Sequence, residues 1–126
     1  MHAIDTNVLV RLLVRDDARQ LAAAEVFTRT GAWISHLVLM EAVWVLESVY
    51  DEPPSRIATA VEMLLDHREL VIQDGDTVRA AVVEYRKRPA IGFSDCLILE
   101  TARKAGHLPL GTFDRELGKV NGAKKL

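Results

Sequence analysis

The chain has 126 residues and a single cysteine, Cys96, so no disulfide can form within it. One thiol also argues against a cysteine-based zinc site, and with no disulfide it fits a reducing cytoplasm. Long apolar runs are absent too. Leu37–Met40 and Ala42–Leu46 are too short and too interrupted to span a bilayer, so no membrane association is expected. The opening Met1-His2-Ala3-Ile4-Asp5 puts an acid where the apolar core of a signal peptide should begin, so none is expected. A strong basic excess is also missing. The formal net charge is −2 and the isoelectric point about 6.1, which excludes a protein that grips nucleic acid by charge alone. No Ser/Gly-rich linker, repeat or low-complexity tract marks a boundary, so residues 1–126 read as one domain. Hydrophobic residues at 49% and charged residues at 27% are the composition of a globular chain able to bury a core without disulfides.

What is present is an alternation of short apolar stretches with helical segments. Ala3-Ile4 opens a short buried strand that runs into Asp5-Thr6-Asn7, a helix start for residues up to Val14. Asp16-Asp17 caps a second helix, residues 18–29. Ala32-Trp33-Ile34 is a second strand, and Ser35 caps a long helix through Tyr50 with Glu41 in its early turns. Asp51-Glu52-Pro53-Pro54 breaks the chain before a helix that starts at Ser55 and runs to about His67. Leu70-Val71-Ile72 is a third strand, followed by a helix to Arg88. Pro89 to Phe93 reads as a loop, Ser94 as the cap of a helix ended by Gly106, and residues 108–113 as a fourth strand. Asp114 opens a short last helix, and residues 123–126 read as an edge strand. This order predicts an α/β protein, a three-layer α/β/α sandwich with a short parallel sheet of four to five strands.

In such sheets the functional crevice lies beyond the carboxyl ends of the strands. Asp5 and Asp114 follow the first and fourth strands, Glu41 follows the second, and Asp95 stands in the first turn of the helix leading into the fourth. Four carboxylates gathered at one mouth would repel one another unless a hard divalent cation, Mg²⁺ or Mn²⁺, joined them. Such an ion polarises a phosphodiester and activates water. Each acid also has a plainer role. Asp5, Asp95 and Asp114 all stand where helix caps and dipoles favour acids. Glu41 is harder to explain that way. Its neighbours Leu37, Val38, Met40, Ala42, Trp44 and Val45 make the helix apolar nearly all round, and a buried carboxylate there needs a partner.

These residues resemble the motifs of the PIN-domain family, and within it the VapC-type toxins of toxin–antitoxin pairs. Ile4-Asp5-Thr6-Asn7-Val8-Leu9 is similar to the first acidic motif, and Ser35 to Leu46 around Glu41 to the second. Phe93-Ser94-Asp95-Cys96-Leu97-Ile98 is similar to the third, and Thr112-Phe113-Asp114-Arg115 to the fourth. The resemblance covers essentially the whole chain. It implies a PIN-like fold, Mg²⁺ or Mn²⁺ at the acids, hydrolysis of single-stranded or looped RNA, a homodimer, and a cognate antitoxin whose tail blocks the site. In this picture Asp5, Asp95 and Asp114 hold metal, Glu41 completes the shell or orients the attacking water, and Thr6, Asn7 and Thr112 position the acids.

Arg86-Lys87-Arg88 is the densest basic run and, with Arg115, supplies candidate RNA contacts; a solvated helix end is the plainer reading of the run. His36 and His107 have no metal-ligand spacing, Cys96 reads as a small buried residue, and Trp33 and Trp44 as core or dimer-interface residues. Glu100 reads as a surface residue. Two rival readings remain at this level. A haloacid-dehalogenase-like phosphatase also places an acid after its first strand, but wants a second Asp where this chain has Asn7. A non-catalytic binding module would keep the acids only as helix caps.

Overall fold

The structure is a computed structural model that describes all 126 residues. It divides into two compact units, Met1–Gly75 and Asp76–Leu126.

The first unit contains β1 (His2–Ala3), α1 (Thr6–Val14), α2 (Ala18–Thr28), β2 (Ala32–Ile34), α3 (His36–Ser48), α4 (Pro54–Asp66) and β3 (Leu70–Ile72). The strands form a parallel sheet in the order β1-β2-β3, with His2 opposite Ala32 and Ile34 opposite Ile72. Parallel pairing sends the carboxyl ends of all three to one edge, where Asp5 and Ser35 follow their strands. Helix starts are set by side-chain caps. The Asp5 carboxylate accepts from the Val8 N–H at 3.1 Å, Asp17 from Gln20 at 3.0 Å, and the Ser35 hydroxyl from Val38 at 3.1 Å. In α4 the first turn carries Pro54, whose missing N–H would have been unsatisfied there anyway. Helix α1 packs on α2 and α3, and α4 packs on β3. The core gathers Leu9 and Val10 of α1, Leu39, Ala42, Val43 and Leu46 of α3, and Ile57, Val61 and Leu64 of α4. Ala32, Ile34, Leu70 and Ile72 bury one side of their strands, while Trp33 and Val71 point out. At the sheet edge, the His36 N–H donates to the Gln73 side-chain oxygen at 2.9 Å and the His36 ring meets the Gln73 carbonyl at 2.6 Å. This clasp accounts for the histidine as an edge residue. Contrary to expectation, β1 is exposed at both residues; burial begins only at Ile4.

The second unit contains α5 (Gly75–Lys87), whose first residue belongs to the first unit, then α6 (Phe93–Ala105), β4 (Leu110–Thr112) and β5 (Ala123–Lys125). Single 3₁₀ turns cover Pro89–Ile91 and Leu117–Lys119. Strands β4 and β5 pair in parallel, Leu110 opposite Ala123. The chain thus makes short parallel sheets, as the alternation of elements predicts, and its five strands pair as three and two. The start of α6 differs from expectation. Its cap is Gly92, not Ser94, and Phe93 is already helical. Gly92 sits at φ 91°, ψ 147°, a conformation that a side chain would strain, and it lets the Pro89–Ile91 turn feed the helix directly. Gly106 ends α6 in the left-handed conformation at φ 82°, as its position predicts. Val78, Ala81, Val82 and Tyr85 of α5 and Phe93, Cys96, Leu97 and Leu99 of α6 are buried. The Tyr85 and Phe93 rings meet edge to face, centroids 5.9 Å apart.

The units differ in charge. The first holds six of the sixteen Lys and Arg residues and twelve of the eighteen Asp and Glu; the second holds the other ten and six. An overall charge of −2 conceals a basic carboxyl-terminal unit. No helix is long and apolar enough to cross a membrane.

Candidate functional site

In the first unit Asp5 stands at the carboxyl end of β1 as the cap of α1. One carboxylate oxygen receives the Val8 N–H, which fixes the side chain and leaves the second oxygen available. Thr6 and Asn7 open α1, Thr6 half-buried and Asn7 exposed with its amide unpartnered. Glu41 lies in the second turn of α3. The expected burial of this carboxylate is corrected: Glu41 is exposed. Helix α3 buries only the face carrying Leu39, Ala42, Val43 and Leu46, and leaves Leu37, Glu41, Trp44 and Ser48 as one outward stripe. Trp44, at 63% exposure, is therefore not a core residue of the chain. No hydrogen bond or ion pair engages Glu41.

The second unit brings Asp95 and Asp114 together. Asp95 is the third residue of α6, half-buried, with no hydrogen-bond partner. Burial raises its pKa above the usual carboxylate value, and the charge of Asp114 raises it further. Asp114 is exposed and tightly oriented. Its carboxylate accepts from the Leu117 N–H at 2.8 Å, and its own N–H donates to the Thr112 hydroxyl at 3.0 Å. Thr112 thus positions this acid through its backbone.

Of the basic candidates, Lys87 and Arg115 are exposed and carry no ion pair, whereas Arg88 faces Glu84 at 3.6 Å. Arg86 is exposed in the last turn of α5. Cys96 is buried, and its thiol is pushed up to about 12, first by burial and then by the carboxylates of Glu84, Asp95 and Glu100. Glu100, expected on the surface, is half-buried and pairs with Arg103 at 3.2 Å. Glu84 carried no signal in the sequence, because it reaches this neighbourhood from a separate helix.

Within neither unit do three or more His, Cys, Asp or Glu side chains gather as a metal-holding set. The second unit offers the Asp95–Asp114 pair, and the first carries Asp5 and Glu41 on the packed helices α1 and α3. The chemistry of the Asp95–Asp114 pair fits a hard divalent cation. Every candidate ligand is a carboxylate oxygen, the one thiol is held protonated, and the two carboxylates that face each other lack a counter-charge.

Comparison with curated proteins finds no match. The model of the PIN domain matches residues 3–123, running through both units. The chain therefore belongs to the PIN domain family, whose members are in general nucleases that act on nucleic acids and typically use divalent metals.

Proposed function

We propose that residues 1–126 work as one Mg²⁺- or Mn²⁺-dependent endoribonuclease domain, with Asp5, Glu41, Asp95 and Asp114 serving a single reaction. The observation that carries this reading is Asp95: a half-buried carboxylate without a hydrogen bond, set against the like charge of Asp114. Capping and the helix dipole favour each acid singly, but placing the two together raises the pKa of Asp95, a cost that a divalent ion would offset.

In this reading Asp95 and Asp114 would hold the cation, and the uncommitted oxygen of Asp5 would serve the same reaction. Bound there, it supplies Lewis-acid polarisation of the phosphodiester and eases deprotonation of water. Glu41, exposed and unpartnered, accepts a hydrogen bond from the attacking water and orients it. Oxygen of that water would bond to phosphorus while the bond from phosphorus to the leaving sugar oxygen breaks, and the proton the water sheds would pass through solvent to the leaving oxygen. Thr112 keeps Asp114 in place. Arg86, Lys87, Arg88 and Arg115 contact RNA phosphates, an assignment supported by the basic balance of their unit.

The same reading makes the protein the toxin of a toxin–antitoxin pair, acting in the cytoplasm on RNA needed for translation. Its support is the order of four acidic motifs. The outward stripe of α3, with Leu37 at 81% and Trp44 at 63% exposure, supports a homodimer.

A chain purified free of metal should cut single-stranded RNA only when Mg²⁺ or Mn²⁺ is added. Asp5→Asn, Asp95→Asn and Asp114→Asn should each nearly abolish cutting without unfolding the chain. Parent-rate cutting by these variants in the presence of chelator overturns the mechanism. Growth arrest on expression, relieved by the product of a small neighbouring reading frame, tests the toxin role.

The reading as a binding module draws on a specific observation, since Asp5 and Asp114 both cap backbone N–H groups. Asp95 separates the two. It caps nothing, so a binding module would tolerate Asp95→Asn without functional loss.

A further inference from the structure

A groove of about 420 Å³ opens between α1 and α2 beside Asp5. Its walls include Asn7 and Val8 of α1 and Ala23, Ala24 and Phe27 of α2. Phe27 is 48% exposed, and its ring is stacked on that of His2, centroids 4.9 Å apart and planes 28° from parallel. An aromatic ring that is held from one side and left open to solvent is a ready stacking surface.

Charge decides what such a groove would take. Its one cation, Arg11, is committed: it donates to Gln20 at 2.6 Å and to Asp16 at 3.0 Å. Asp5 stands at the groove, and the whole unit carries twice as many acids as bases. Within the groove, away from a bound cation, a phosphate would be repelled. A neutral planar group would not, and the unpartnered amide of Asn7 offers it both a donor and an acceptor.

We propose that this groove binds an unpaired nucleobase of the RNA, stacked on Phe27 and read at its edge by Asn7, next to the phosphodiester cut at Asp5. The proposal rests on the nuclease reading for its position along the strand, but not for the binding of a base. Phe27 then determines which strands are cut: single-stranded or looped RNA, whose bases can leave the stack, is admitted, and paired RNA is not.

The test places 2-aminopurine in turn at each base flanking the scissile bond of a short single-stranded RNA, bound to the full-length Asp95→Asn chain. At one position the fluorescence should fall on binding. Adding Phe27→Leu should abolish the quench, and Phe27→Tyr, which keeps the ring, should retain it. In the otherwise unaltered chain, an abasic residue at that position should lower kcat/KM about tenfold or more, and Phe27→Leu should erase the difference. Quenching at no position overturns the proposal, as does a quench indifferent to Phe27→Leu, or one lost equally in Phe27→Tyr. A Phe27-dependent quench in a chain that never cuts RNA leaves the base site standing and removes the nuclease reading. Metal-dependent cutting with no quench does the reverse.

Discussion

Asp95 is held above the ordinary carboxylate range by burial and by the charge of Asp114. The stability contribution of a carboxyl raised in the folded state is fully present below its unfolded pKa, about 3.9, and is lost as pH rises through the raised value. At neutral pH the ionised Asp95 therefore works against folding when no cation is present. Asp95→Asn should melt higher than the parent chain at pH 7 in chelator, and the gap should close towards pH 3. Under the proposed mechanism added Mn²⁺ should reverse the order, because it would bind only the parent site strongly. Equal melting temperatures at pH 7 would count against a strained acid pair.

Thr112 holds Asp114 by accepting its N–H. Thr112→Val removes one exposed hydrogen bond, expected to cost about 0.5–1 kcal/mol in urea unfolding. Under the proposed mechanism the loss of RNA cleavage should be larger, about tenfold, because Thr112 would then orient an acid that holds metal. Thr112→Ser should restore most of it. A fall in stability with unchanged cleavage would make Thr112 purely structural.

Lys87 carries no ion pair, while Arg88 faces Glu84. Lys87→Gln should weaken single-stranded RNA binding regardless of sequence and reduce the slope of log Kd against log salt by about 0.7. Arg88→Gln should reduce it less, because its charge is already partly compensated. Identical slopes in parent and Lys87→Gln place the phosphates elsewhere.

Cys96 is buried with its thiol pushed up to about 12. Raised in this way, the thiol favours the folded state below its ordinary pKa, about 8.5, and that contribution is lost as pH climbs through 12. Iodoacetamide at pH 8 should leave the native chain unmodified and label it once urea unfolds it. Rapid labelling of native protein would contradict the burial.

The legible parts of this molecule are those set by local chemistry. Asp5, Asp17 and Ser35 announce helix starts, and their caps form with the nearest backbone donors. The strands at Ala32–Ile34 and Leu70–Ile72 follow from their compact apolar runs. Gly92 was missed as a cap because a glycine offers no side-chain oxygen to recognise; its role is a dihedral angle. Glu41 misled for another reason. An apolar composition around a helix does not say which face is buried, and α3 leaves leucine and tryptophan in solvent beside the carboxylate. The closeness of Glu84 to Cys96 depends on tertiary placement that no spacing encodes. Phe27 gave no signal either, since a single aromatic on an alanine-rich helix reads as ordinary.

Under the proposed mechanism two of the acids would do double duty, because Asp5 and Asp114 each spend one oxygen on a backbone N–H. A descendant of this chain that had abandoned chemistry would still be pressed to keep an oxygen at those two places, as asparagine or serine. Position 95 caps nothing and would enjoy no such protection. Decay of the enzyme would be written there first, and an alanine at 95 beside an intact aspartate at 5 would mark a scaffold that had outlived its reaction.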